Sequence, residues 1–181
     1  MKKILIASTL LTLSSLTPAL AQHHGHSHGQ AAAHAHQNSY SGMQKREIKA
    51  LSDQQIEGFK AGKGMAMAMP AELNGYPGPL HVLELATQIG LTPEQETETK
   101  KLYAEMREAA QSQGQQFIEA ERELDSLFAQ KKATPESVSS AVAAAAHAQG
   151  KLRETHLRYH LAMMDVLTPE QVAAYNQLRG Y

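Results

Sequence analysis

The sequence predicts an all-α fold: a long antiparallel helical hairpin with short flanking helices, expected to pair as a dimer. Three observations predict it. Apolar residues recur at alternating spacings of three and four along two long stretches. The phrase LTPEQ occurs twice, at 91–95 and 167–171. The composition is rich in Ala, Gln, Glu and Leu, with 5% aromatic residues, no Trp and no Cys, which suits long helices with thin seams better than a thick core.

The chain opens MKKILIASTLLTLSSLTPALAQ. Lys2 and Lys3 form a positive start, Ile4 to Leu13 an apolar run of about 10 residues, and Ala19-Leu20-Ala21 a small-x-small cleavage signal before Gln22. A membrane span needs about 20 apolar residues, so 1–21 reads as a signal peptide and no other run is long enough to span. Export, with a periplasmic location, is the expectation. Without Lys2 and Lys3 the formal net charge moves from −1 to −3, since 1–21 hold no acid. That balance argues against a nucleic-acid partner, which calls for a strongly basic face. The absence of cysteine excludes disulfides and thiolate metal sites.

Residues 22–42, QHHGHSHGQAAAHAHQNSYSG, carry six of the ten histidines, His23, His24, His26, His28, His34 and His36, and almost no large apolar group. Too little surface can be buried there to offset the ordering entropy, so the segment reads as a disordered tail. Unhindered imidazoles bind Zn²⁺, Ni²⁺ or Cu²⁺ at neutral pH and release them as the rings protonate near pH 6. The tail therefore reads as a metal-gathering segment with several weak sites, or as a solubilising spacer whose binding is incidental.

The helical domain, 43–181, begins its first helix at Ser52, an N-cap with Gln55 closing a capping box and Leu51 stapling onto Ile56. The pattern carries this helix to Met69, weakened by Gly58, Gly62 and Gly64, with Pro70 just beyond. It places Met65 and Met69 of MAMAM on one face and Met67 opposite; such methionines hold Cu(I), adapt to diverse partners or simply pack a core. NGYPGP at 74–79 is a turn cluster, followed by a short helix over 80–89 with Gly90 as its C′ residue. His81 begins that helix without an evident partner and reads as structural or exposed.

Each LTPEQ is a helix start: Thr92 and Thr168 cap, Pro93 and Pro169 occupy the first helical position, and Gln95 and Gln171 close capping boxes. Leu167 staples onto Val172, whereas the first copy faces Glu96 and lacks a staple. A related TPES at 134–137 starts the helix between them. The seam of the first long helix runs Tyr103, Met106, Ala110, Gln113, Phe117, Ala120, Leu124, Leu127; that of the second runs Val138, Val142, Ala145, Gln149, Leu152, His156, Tyr159, Met163, Val166. The short link KKATPES makes the two helices antiparallel neighbours turning near residue 133. A lone hairpin buries one stripe, hence the expected homodimer.

Two Leu-Thr-x-x-Gln phrases bracketing a helical hairpin behind a signal peptide resemble the Spy/CpxP-type periplasmic proteins and the related heavy-metal-resistance and periplasmic metal-sensor proteins. The matching positions are Leu91, Thr92, Gln95 and Leu167, Thr168, Gln171, and the likeness covers 80–181. The resemblance implies a dimeric helical cradle acting as a metal sensor, an ATP-independent chaperone for unfolded clients, or an envelope-stress signalling inhibitor with a membrane sensor protein as partner. The metal-sensor branch sets a His and a Met four apart just before the second phrase; here the nearest pairs are His160–Met164 and, one position earlier, Tyr159–Met163.

His156, His160, Met163 and Met164 fall at i, i+4, i+7 and i+8, on one helix face, with His160 expected across from Met106. Imidazole with thioether suits copper, and imidazole alone also nickel, cobalt or zinc. The alternative is that Met163 and Met106 fill core gaps and that His156 is a seam residue bonded to a Glu. Enzymatic signatures are missing: there is no G-x-S-x-G and no H-E-x-x-H, and GFKAGKG lacks the spacing and the Ser/Thr of a phosphate loop. The expectation is a non-enzymatic, metal-binding periplasmic protein, with the chaperone-like module as the alternative.

Overall fold

The structure, a computed structural model, describes residues 39–181. The expected signal peptide and the six histidines of the expected tail lie outside the described residues. From the N-terminal side come a 3-10 turn at Met43–Lys45, then α1 (Asp53–Lys60), α2 (Met69–Glu72), α3 (Pro79–Glu84), α4 (Pro93–Ala129), α5 (Pro135–Val166) and α6 (Pro169–Arg179). No strand occurs among the described residues, and none of their helices is long and apolar enough to cross a membrane.

The hairpin is α4 against α5, the most extensive contact in the fold. At 37 residues, α4 is about 55 Å long. All four anticipated caps form. Ser52, Thr92, Thr134 and Thr168 each accept the N3 backbone N–H, and Gln55, Gln95, Ser137 and Gln171 each return a side-chain acceptor to the cap N–H.

The first helix ends earlier than its sequence pattern predicts, at Lys60 rather than Met69. Gly62 turns left-handed at φ 72°, and Met65 and Ala66 follow at φ 43° and 65°. The reason is tertiary: a Cβ at Gly62 would stand 2.6 Å from the Arg107 carbonyl oxygen, so α1 must break where it meets α4. Residues 61–68 form a strap of turns, and Met65 and Met69 do not share a helix face. The third helix is likewise shorter than predicted, ending at Glu84, with turns carrying the chain to Gly90 at φ 67°.

Two apolar clusters hold the molecule. One packs Ile48, Leu51, Ile56 and Phe59 onto Ala110, Phe117 and Ile118 of α4 and Ala148 and Leu152 of α5. Its centre is the edge-on pair Phe59–Phe117, with ring centroids 5.4 Å apart; burial of each ring contributes about 1.5–3 kcal/mol. The other gathers Val82, Ile89, Met163, Leu167 and Tyr175, with Leu91, Leu102 and Val172 against them. Lys49 fastens the N-terminal segment to α4 through Asp125, its backbone N–H donating over 3.1 Å and its ammonium pairing at 3.4 Å.

The tip of the hairpin departs from the predicted seam. No residue between Ile118 and Ala145 is buried, and Val142 is 49% exposed. No third element covers two crossing helices there, so Leu124, Leu127 and Val138 are only half-buried. On α5 the seam passes through Ala148 rather than Gln149, which is exposed.

Candidate functional site

His156 and His160 lie on α5 between Leu152, which belongs to one apolar cluster, and Met163, which belongs to the other. Met106 occupies the matching gap on α4, between Leu102 and Ala110. At this junction lies a half-open cavity of about 450 Å³, whose wall includes Met65, Met69, Glu72, His81, Met106, His156 and His160. His160 and Met106, expected to lie across from each other, both line this cavity, as does His156. The four residues of the predicted face do not stay together, however. His156 and His160 are 2% and 7% exposed, Met163 is fully buried in apolar packing, and Met164 is 38% exposed. Met163 is core, and Met164 is rotated away because i+8 overshoots the stripe that i, i+4 and i+7 define.

Glu72, at the end of α2, organises the polar wall and is itself 8% exposed. Its Oε1 accepts a hydrogen bond from the Tyr175 hydroxyl and another, at 3.4 Å, from the Tyr181 hydroxyl. His81 Nδ1 and Arg179 Nε approach the same oxygen to 3.3 and 3.4 Å, at ion-pair distance without hydrogen-bond alignment. His160 Nδ1 stands 3.7 Å from Oε2. Burial pushes the Glu72 pKa upward, but the approach of His81, the Tyr175 hydrogen bond and the charges of His81 and His160 outweigh it and hold the carboxyl at about 2. Burial, and then the facing carboxylate, push the Tyr175 phenol well above its usual range. His81 is therefore partnered, contrary to the reading of it as a residue without one.

His160 is oriented by the turn before α3. Its Nδ1–H donates to the Tyr76 carbonyl over 2.7 Å, which fixes the tautomer and leaves Nε2 as the free basic nitrogen of the neutral ring. Gly78 leaves room for that ring: a Cβ there would stand 2.9 Å from Nε2. His156, by contrast, is not bonded to a Glu. Its Nε2 is buried with no hydrogen bond inside the protein, and burial, aided by the charge of His160, pushes its pKa down to about 4. Glu72 Oε2 and His81 Nδ1 are likewise buried and unbonded.

The donor types suit a transition metal, and three of them are open, but the resting arrangement does not converge. No three His, Asp or Glu side chains among the described residues form a ready-made metal-holding group. Glu72, Tyr76, Tyr175 and Arg179 escape the sequence reading. One signal was available, since Glu72 is the lone acid between Glu57 and Glu84.

No curated protein and no solved structure gives a match to the chain. A family model described as heavy-metal resistance matches residues 64–174, more than half of the chain. That span takes in the strap from residue 64 onward, Glu72, both LTPEQ phrases and the imidazoles of α5, and the chain belongs to the heavy-metal-resistance family.

Proposed function

We propose that this is a non-enzymatic, exported metal-binding protein of the periplasm, gathering transition-metal ions on its histidine tail and sensing or buffering them at the cavity of the folded domain. The observation that carries the reading is the set of buried, unbonded donors on one cavity wall: Glu72 Oε2, His81 Nδ1 and His156 Nε2. Unsatisfied buried polar atoms are costly, and a group of them is characteristic of a site that a ligand completes. His160 adds a ring held through Nδ1 by a backbone carbonyl, the outer-shell arrangement that presents Nε2 to a metal. Glu72, His81, His156 and His160 would hold a borderline divalent ion such as Zn²⁺, Ni²⁺, Co²⁺ or Cu²⁺. Homodimerisation, and signalling to a membrane sensor protein, belong to the same proposal.

The test is calorimetric titration of the mature chain with the six tail histidines changed to Ser, against the same chain also carrying His81→Ala and His160→Ala. Saturation near one ion per chain in the first, lost in the second, supports the site. No binding in either sinks metal sensing by the fold and confines metal to the tail.

One observation favours a second reading, a chaperone-like cradle for unfolded clients. Large apolar side chains stay exposed along the hairpin, including Leu161 at 57% and Phe128 at 54%. Client aggregation followed with and without Zn²⁺ decides it, since no suppression in either state removes the chaperone.

A further inference from the structure

MAMAM at 65–69 is left unused by the divalent-metal reading, and the fold gives it a place. The strap carries Met65, and the start of α2 carries Met69, to the same cavity that Met106 of α4 and His156 of α5 line from the hairpin side. Holding Met65 there is costly, because Met65 and Ala66 are non-glycine residues in the left-handed region. Such strain persists only where surrounding structure imposes it, and it collects at ligand sites. Gly58 is fitted to Met65: a Cβ at position 58 would lie 2.5 Å from the Met65 sulfur. Gly64 lies beside the His156 ring, where a Cβ would make an ordinary van der Waals contact of 3.8 Å with Nδ1.

These residues form a second donor set, chemically unlike Glu72 and its partners. Three thioethers and one uncharged imidazole offer soft, neutral ligands, which select Cu(I) over divalent ions. A neutral donor set leaves less residual charge around a monovalent cation than around a divalent one.

We propose that the cavity wall formed by Met65, Met69, Met106 and His156 is a binding site for a soft monovalent cation, Cu(I) in the cell, drawing the 61–68 strap onto the hairpin. The inference rests on the metal-binding reading of this cavity and shares His156 with it, but the three thioethers are its own, so methionine signals test it apart from the His81 and His160 variants that test the divalent site.

The test is Ag⁺ titration, a redox-inert probe of the same chemistry, into the full mature chain with ¹³C-labelled methionine methyls. At one equivalent the methyl signals of Met65, Met69 and Met106 should shift together, while those of the core Met163 and the exposed Met164 stay in place. The near-isosteric double variant Met65→Leu, Met106→Leu should keep its unfolding temperature and bind Ag⁺ at least about tenfold more weakly, since losing even an outer-shell partner costs about 10–100-fold. Unmoved Met65 and Met106 signals, or unchanged affinity in the double variant, overturn the proposal whatever Zn²⁺ and Ni²⁺ do at Glu72.

Discussion

Gln95 and Gln171, the last residues of the two LTPEQ phrases, hydrogen-bond to each other reciprocally. Each Nε2 donates to the other's Oε1, over 2.8 and 2.9 Å. Each Oε1 also accepts its own cap N–H, from Thr92 at 3.0 Å and from Thr168 at 2.9 Å. Each Nε2 then reaches a backbone carbonyl beside the opposite cap, Gln95 to Val166 at 2.8 Å and Gln171 to Gly90 at 3.1 Å. The repeated phrase is thus more than a helix start used twice. The starts of α4 and α6 face each other and are locked by one amide pair, closing the open end of the hairpin. Glu closes a capping box as well as Gln does, but it cannot donate, so the reciprocal contact explains the amide at both positions.

Gln95→Glu should therefore keep the cap yet lose stability, by about 1–3 kcal/mol, because two donors disappear and the Val166 carbonyl loses its partner. In urea unfolding, Gln95→Ala and Gln171→Ala together should cost less than the sum of the singles by about 1 kcal/mol. Strict additivity would mean that the pair contributes no coupling.

Glu72→Gln should be the most damaging polar substitution. It removes the charge that His81, His160 and Arg179 surround and weakens the Tyr175 hydrogen bond. Breaking such a partly buried cluster costs about 3 kcal/mol. In the native protein the Glu72 pKa is lowered to about 2 from 4.5, so its contribution is complete above about pH 4.5 and fades as the pH falls toward 2. Acid unfolding curves of Glu72→Gln should lack that part of the decline.

The helix starts, the hairpin turn and the class of the fold were legible in the sequence, because capping boxes and the 3/4 spacing are local signals. The first helix was overextended because nothing local stops it; the carbonyl of Arg107, 45 positions beyond Gly62, sets the break. The site was half legible. Met106 and His156 fall on the two predicted seams and His160 one turn from His156, but Glu72 reaches them from a four-residue helix that no periodicity marks. His81 gained its partner by the same long-range route.

Gly114 illustrates such long-range demand. A Cβ on it would stand 2.6 Å from the Phe59 carbonyl oxygen, so α1 rests directly on the α4 backbone there. A substitution scan would ordinarily favour Ala over Gly inside a helix by about 1 kcal/mol. Gly114→Ala should instead destabilise by about 1–3 kcal/mol, through overpacking that pushes α1 away. Thermal unfolding of the purified variant checks the sign, and a gain in stability would show that α1 yields freely.

His156 should make the fold sensitive to mild acid. Its folded pKa of about 4 lies below the unfolded value of 6.5, so the unfolded chain takes up a proton that the folded one refuses. Its stabilising effect is complete above pH 6.5 and is lost as the pH falls from 6.5 to 4, a change of about 3 kcal/mol. That corresponds to a fall in Tm on the order of 10 °C. The charges around it are His160 one turn along α5 and, on the same cavity, Glu72 and His81. Glu72 itself titrates mainly below pH 4.5, so the two windows separate. In metal-free buffer with chelator, His156→Leu should flatten the Tm profile between pH 6.5 and 4.5 and leave the steeper acid limb intact. A His156→Leu variant that kept the native profile would show that burial of His156 is not the source of the acid sensitivity.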